Sequence, residues 1–177
     1  MFREIFILFI FSFSVSLNAQ LHSPKDYLGY ELGTQFSRHH QVVDYYQYLE
    51  QNSDQIQLVS YGKTNEGRLL QLAFISSSEN LKNLEAIRTA HMQNSGSLPG
   101  PKNDQKSIVW LSYNVHGNES SSTEASMKTA YALLTQYQEW LEDTIVIIDP
   151  CINPDGRDRY VNFYNQTRSI PYDSNRL

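Results

Sequence analysis

This sequence has a single cysteine, Cys151, so no disulfide can form within the chain. A chain of 177 residues without cross-links must rest on its hydrophobic core, and Cys151, set in an apolar run, is expected to serve there as a small buried hydrophobe. Basic clusters are also lacking. The 14 Lys and Arg are outnumbered by 19 Asp and Glu, for a net charge of −5. That balance argues against nucleic acid as a partner and against a polybasic membrane-surface patch. Internal repeats and low-complexity tracts are absent. The one long apolar run, Ile5 to Leu17, is too short to span a bilayer. It follows Arg3 and ends at Leu17-Asn18-Ala19, the organisation of a secretory signal peptide cleaved after Ala19. Residues 1–19 are therefore expected to be a signal segment. Residues 20–177 are expected to form one exported domain, secreted or periplasmic, with no membrane span once the signal is removed.

What is present reads as alternating strands and helices. Val42, Val43, Tyr46 and Leu49 recur at helical spacing, which predicts a helix over 38–51. Ile56–Tyr61 and Leu69–Ile75 read as strands joined by a turn-rich connector, a hairpin. Leu81, Leu84 and Ile87 predict a helix over 80–93, and 94–106 reads as a loop. Ile108–Tyr113 is strand-like. Ser121-Ser122-Thr123-Glu124 has capping-box spacing, predicting a helix from there to about Leu141. Thr144–Ile152 reads as a strand buried on both faces, followed by a turn at Asn153-Pro154-Asp155-Gly156. Strand, helix and strand over 108–152 predict a parallel pair. The expected fold class is α/β, with a mixed, mainly parallel sheet flanked by helices.

The chemistry concentrates at His116-Gly117-Asn118-Glu119, between the strand ending near Tyr113 and the helix opening near Ser121. Ligands of open α/β sheets gather beyond the carboxyl ends of strands. Neutral imidazole and carboxylate are both zinc ligands, and a His and a Glu three apart can grip one ion from a single turn. Gly117 lets the backbone turn tightly between them. The amino end of the following helix favours an ionised Glu119. The spacing alone is weak, since about 0.3 such pairs arise by chance at this composition. The remaining histidines, His22, His39, His40 and His91, have no Glu three residues later.

Two further landmarks give the pair its context. Tyr61-Gly62-Lys63-Thr64-Asn65-Glu66-Gly67-Arg68 lies upstream, and Asn153-Pro154-Asp155-Gly156-Arg157 lies downstream. In this order and spacing, residues 27–168 resemble the front half of a zinc carboxypeptidase catalytic domain. The resemblance implies a three-layer α/β/α fold, incomplete over this length, a zinc cofactor, and a peptide or protein substrate. It assigns His116 and Glu119 as the first two metal ligands and Arg168 as the residue stabilising the developing oxyanion. It places Asn118 at a substrate-binding position where many members carry Arg. A third ligand, a later His, and the general-base Glu lie further on in the family. The chain is therefore expected to be inactive alone, with the apolar strand residues Ile145–Ile148 left facing solvent. Two alternatives stand beside this reading. One is a non-catalytic peptide-binding module on the same fold. The other is a zinc amidohydrolase acting on acyl-amino acids, a group that shares the His-Gly-Asn-Glu sequence.

Overall fold

The computed structural model describes residues 20–102 and 106–167. The expected signal segment and Arg168 lie outside the described residues. Four strands form one sheet in the order β1-β2-β4-β3: β1 is Ile56–Lys63, β2 Leu69–Ile75, β3 Ser107–Ser112 and β4 Thr144–Asp149. β1 and β2 make the expected hairpin, Ile56 opposite Ile75, with an irregularity between Ser60 and Gly62. β3 and β4 are parallel, Ser107 beside Thr144 and Ser112 beside Asp149. β2 pairs antiparallel with β4. The sheet is mixed, as expected. Its parallel share is smaller than expected, because the hairpin enters through β2 and adds two antiparallel pairings to the single parallel one.

The helices are α1 (Pro24–Leu28), α2 (His39–Asn52), α3 (Ser78–Lys82), α4 (Leu84–Asn94), α5 (Ser121–Thr135) and α6 (Pro154–Thr167). Among the described residues none is long and apolar enough to cross a membrane. α2 and α5 lie on one sheet face. Val42, Tyr45, Tyr46 and Leu49 of α2 and Met127, Ala130 and Leu134 of α5 pack with Ile56, Ala73, Ile75, Val146 and Ile148. Each such large side chain contributes about 1.5–3 kcal/mol on leaving water. Alternation along the strands puts Val59, Leu72, Trp110 and Ile147 on the other face. Val59, Ile108 and Trp110 are exposed, Trp110 at 61%.

The expectation that Ile145–Ile148 face solvent is overturned: Ile145, Val146 and Ile148 are buried. β4 lies between β2 and β3, so neighbours protect it on both edges, and the open strands are the two at the sheet edges, β1 and β3. Three element readings also change. The helix opened at Ser121 stops at Thr135, and Leu141 is buried from a separate 3-10 turn, Gln138–Glu142. The apolar spacing continued through 141 because both pieces face one core. The predicted 80–93 helix is two helices divided at Asn83. Asn153-Pro154-Asp155-Gly156 starts α6 instead of forming a free turn. Pro154 suits the first helical position, where no amide partner is needed, and Asn153 Oδ1 accepts the Gly156 amide at 2.9 Å.

Candidate metal centre

The three landmark segments converge on one another, although 47 residues lie between the first and the second. Arg68 of the hairpin turn donates to Glu66 at 2.5 Å, to Asp155 at 2.7 Å and, through Nε, to Asp158 at 2.9 Å. The Thr64 hydroxyl donates to Asp155 at 2.7 Å. Arg159 completes the cluster on Glu66. The hairpin is thus clamped to the start of α6. Arg68 holds the Glu66 carboxyl below its ordinary range. For Asp155, burial pushes upward, but bonds from Thr64 and Arg68 prevail and the net shift is downward.

The start of α6 in turn supports the His116 turn. Asn153 Nδ2 donates to the Val115 carbonyl at 3.2 Å, and the Asn153 amide to the Asn114 carbonyl at 3.2 Å. Gly117 lies directly against Gly156. A Cβ on Gly117 would sit 2.2 Å from the Gly156 carbonyl carbon. Gly117 is therefore needed for space, and it is not among the residues with positive φ.

Below this turn lies a buried charge pair. Arg157, fully buried, donates to Glu124 at 2.7 Å, to the Ser37 carbonyl at 2.8 Å and to the Ser120 carbonyl at 2.6 Å. Glu124 also accepts the Ser37 amide at 2.7 Å and hydroxyl at 3.0 Å. The residue read as the end of a capping box instead points inward and ties α5 to α6 and to the approach to α2. Burying both ions is tolerable because both terminal nitrogens of Arg157 and both oxygens of Glu124 are bonded, leaving Arg157 Nε as the one buried nitrogen of the guanidinium without a partner.

His116 and Glu119 are brought together on this base. His116 Nδ1 lies 3.3 Å from Glu119 Oε1, with the side chains 71% and 60% exposed. At that distance the two side chains are within hydrogen-bond reach of each other. Two donors each about 2.0–2.1 Å from one tetrahedral zinc are about 3.3–3.4 Å apart. The pair therefore has the donor types and the separation that suit an ion. Glu119 sits immediately before α5, its carbonyl accepting the Ser122 amide at 3.1 Å and hydroxyl at 2.8 Å. Asn118 is exposed on the same turn. Among the described residues no group of three His, Cys, Asp or Glu is gathered for a metal.

Two of the other histidines have ring nitrogens engaged elsewhere. His39 is buried at the start of α2, its Nε2 2.9 Å from the Leu69 carbonyl, and burial lowers its pKa. His91 Nε2 meets the Lys106 carbonyl at 2.6 Å. Cys151 is buried as expected, and burial pushes its thiol up to about 11.

The family model described as zinc carboxypeptidase matches residues 42–176. The chain belongs to the zinc carboxypeptidase family. Among solved structures, carboxypeptidase A from Helicoverpa armigera is 21% identical over 71% of this chain and 28% of its own, with a TM-score of 0.51. Bovine thrombin-activatable fibrinolysis inhibitor, solved in complex with tick carboxypeptidase inhibitor, is 16% identical over 81% of this chain and 40% of its own, TM-score 0.50. A second structure of thrombin-activatable fibrinolysis inhibitor gives 14% identity over 81% and 32%, TM-score 0.52. These likenesses establish a shared carboxypeptidase fold. The chain spans between 28% and 40% of the length of these three structures. No curated protein matches the chain.

Sequence reasoning missed Asn114, Glu124 and Arg157 in this site. Asn114 had a local signal, an Asn just past a strand and two residues before His116. Glu124 and Arg157 had none, since their partners are distant in sequence.

Proposed function

We propose that this chain is the N-terminal portion of a secreted zinc metallocarboxypeptidase that hydrolyses peptide bonds, with His116 and Glu119 as two of its metal ligands. The observation that carries the reading is the 3.3 Å separation of His116 Nδ1 and Glu119 Oε1 at the carboxyl end of a strand, on a turn braced from below. Zinc, when bound, supplies a Lewis acid for the scissile carbonyl and lowers the pKa of water toward about 7. The residues of this chain hold and orient. Asn118 offers a neutral amide to a peptide carbonyl, where an Arg would offer charge. Arg168 stabilises the negative charge that develops on that carbonyl oxygen. A third ligand and the general base are supplied from outside the described residues.

The test is zinc titration of the chain against a chromophoric chelator, with His116→Ala and Glu119→Ala as controls. Weak binding lost in both variants is expected, together with no peptide hydrolysis by the 177-residue chain. Zinc bound equally by wild type and both variants would refute the ligand assignment. A second reading, a peptide-binding module without catalysis, is favoured by the lack of a three-ligand cluster among the described residues. It predicts peptide binding that is indifferent to zinc and to both substitutions.

A further inference from the structure

Asn114 has φ 57°, the one positive φ of a non-glycine residue among the described residues. Asn is among the few side chains that enter this left-handed region at modest cost. The conformation comes at a decisive place, just past β3 and two residues before His116, where it turns the chain away from the strand direction.

Asn114 is also 2% exposed, and all its polar groups but one amide are committed to nearby segments. Its carbonyl accepts the Asn153 amide at 3.2 Å. Its side-chain Oδ1 accepts the Cys151 thiol at 3.2 Å. Its Nδ2 donates to the His116 carbonyl at 2.7 Å. That same carbonyl accepts the Glu119 amide at 3.0 Å, the bond that closes the turn. One carbonyl oxygen thus joins the Asn114 side chain to both candidate ligands. The His116 carbonyl, which can only accept, fixes which way the amide faces, because the reversed amide would set oxygen against oxygen; the thiol can donate or accept and then donates to Oδ1.

We infer that Asn114 is the positioning residue of the candidate metal centre: its side-chain amide holds the His116 carbonyl, and through it the turn that sets His116 and Glu119 at ligand separation. The inference rests on the proposed metal-binding reading. It assigns Asn114 no contact with metal or substrate. Outer groups of this kind typically change metal affinity about 10–100-fold when removed.

Two substitutions separate the side chain from the backbone. Asn114→Gly keeps the left-handed conformation without strain and deletes the amide. Asn114→Asp keeps the size, but sets a carboxylate oxygen against the His116 carbonyl. The first readout needs no metal: hydrogen exchange of the Glu119 amide, compared with the β4 amides of Ile145–Ile148 in the same sample. Both variants are expected to speed Glu119 exchange by about tenfold or more and leave β4 unchanged, as local opening requires. The second readout is zinc affinity by chelator competition, expected to fall about 10–100-fold in both variants. Wild-type Glu119 exchange in both variants overturns the inference. So does an unprotected Glu119 amide in the wild-type chain, or equal acceleration in β4, which would make the role a global one. A wild-type chain that binds no zinc removes the metal reading, and the exchange measurement then decides the positioning role by itself.

Discussion

Gly117 and Gly156 meet backbone to backbone, so that a methyl group on Gly117 would lie 2.2 Å from the Gly156 carbonyl carbon and 2.4 Å from its oxygen. The obstacle is main chain and cannot rotate aside. Gly117→Ala must therefore push the His116 turn away from α6, breaking the Asn153 bonds to Val115 and Asn114. Overpacking of this kind costs about 1–3 kcal/mol. Urea unfolding should show that loss, with weaker zinc binding in the fraction that remains folded. A Gly117→Ala chain as stable as wild type would mean that the two segments are not in contact.

Glu124 is the sole side-chain anion bonded to the buried Arg157 guanidinium among the described residues. Glu124→Ala leaves that cation uncompensated and also orphans the Ser37 amide, while the Ser37 hydroxyl keeps only the Tyr30 hydroxyl at 2.7 Å. Removing one partner of a buried pair costs about 3–5 kcal/mol. For a domain of ordinary stability this approaches the whole margin, and low soluble yield is expected. Glu124→Gln keeps an acceptor for Ser37 and should fall between wild type and Ala in thermal midpoint. A Gln variant as damaged as the Ala variant would show that charge outweighs hydrogen bonding at this node.

These two relationships mark where the sequence stops being legible. The hairpin, β4 and α2 follow from periodicity within a few residues, and each was read near its true limits. His116 and Glu119 were legible for the same reason, since three residues and one turn hold them. Asn153-Pro154 was misread because turn formation and helix initiation use the same residues, and only the continuation decides between them. Leu141 extended a helix too far because its periodicity reports burial, which a 3-10 turn can satisfy equally well. Arg157 bonds Ser37 across 120 positions and Glu124 across 33. No local pattern encodes such a pair, and a buried arginine opposes the usual expectation that arginine is exposed.

The clamp of Arg68 on Glu66, Asp155 and Asp158 should open in acid. Glu66 and Asp155 have folded pKa values below their ordinary 4.5 and 3.8. Their contribution is fully present above those ordinary values, and it is lost as pH falls through the lower folded ones. Hydrogen exchange at the Thr64–Arg68 turn should therefore accelerate as pH is lowered below about 4, after correction for intrinsic exchange. The effect should be weaker in high salt, because the cluster is partly open to solvent. In Arg68→Ala the turn should be labile at every pH. A clamp equally protected at pH 3 and pH 6 would contradict the role given to the two carboxylates.

Asp149 carries the opposite sign. It is buried at the end of β4, and burial raises its pKa above the ordinary 3.8 even though the Tyr61 hydroxyl, donating at 2.7 Å, and the Cys151 amide pull it down. A carboxyl whose folded pKa is raised stabilises the fold fully below its unfolded pKa. That contribution disappears as pH rises through the folded value, because the native site must then hold a poorly solvated charge. Asp149→Asn is neutral at every pH and still offers Tyr61 an acceptor. Its stability relative to wild type should therefore climb as pH rises from about 4 toward 7, with the two chains closest at the acid end. Urea midpoints measured for both chains across that interval check the sign. A difference that stays constant with pH would show that Tyr61 and the Cys151 amide solvate the carboxylate as well as water does.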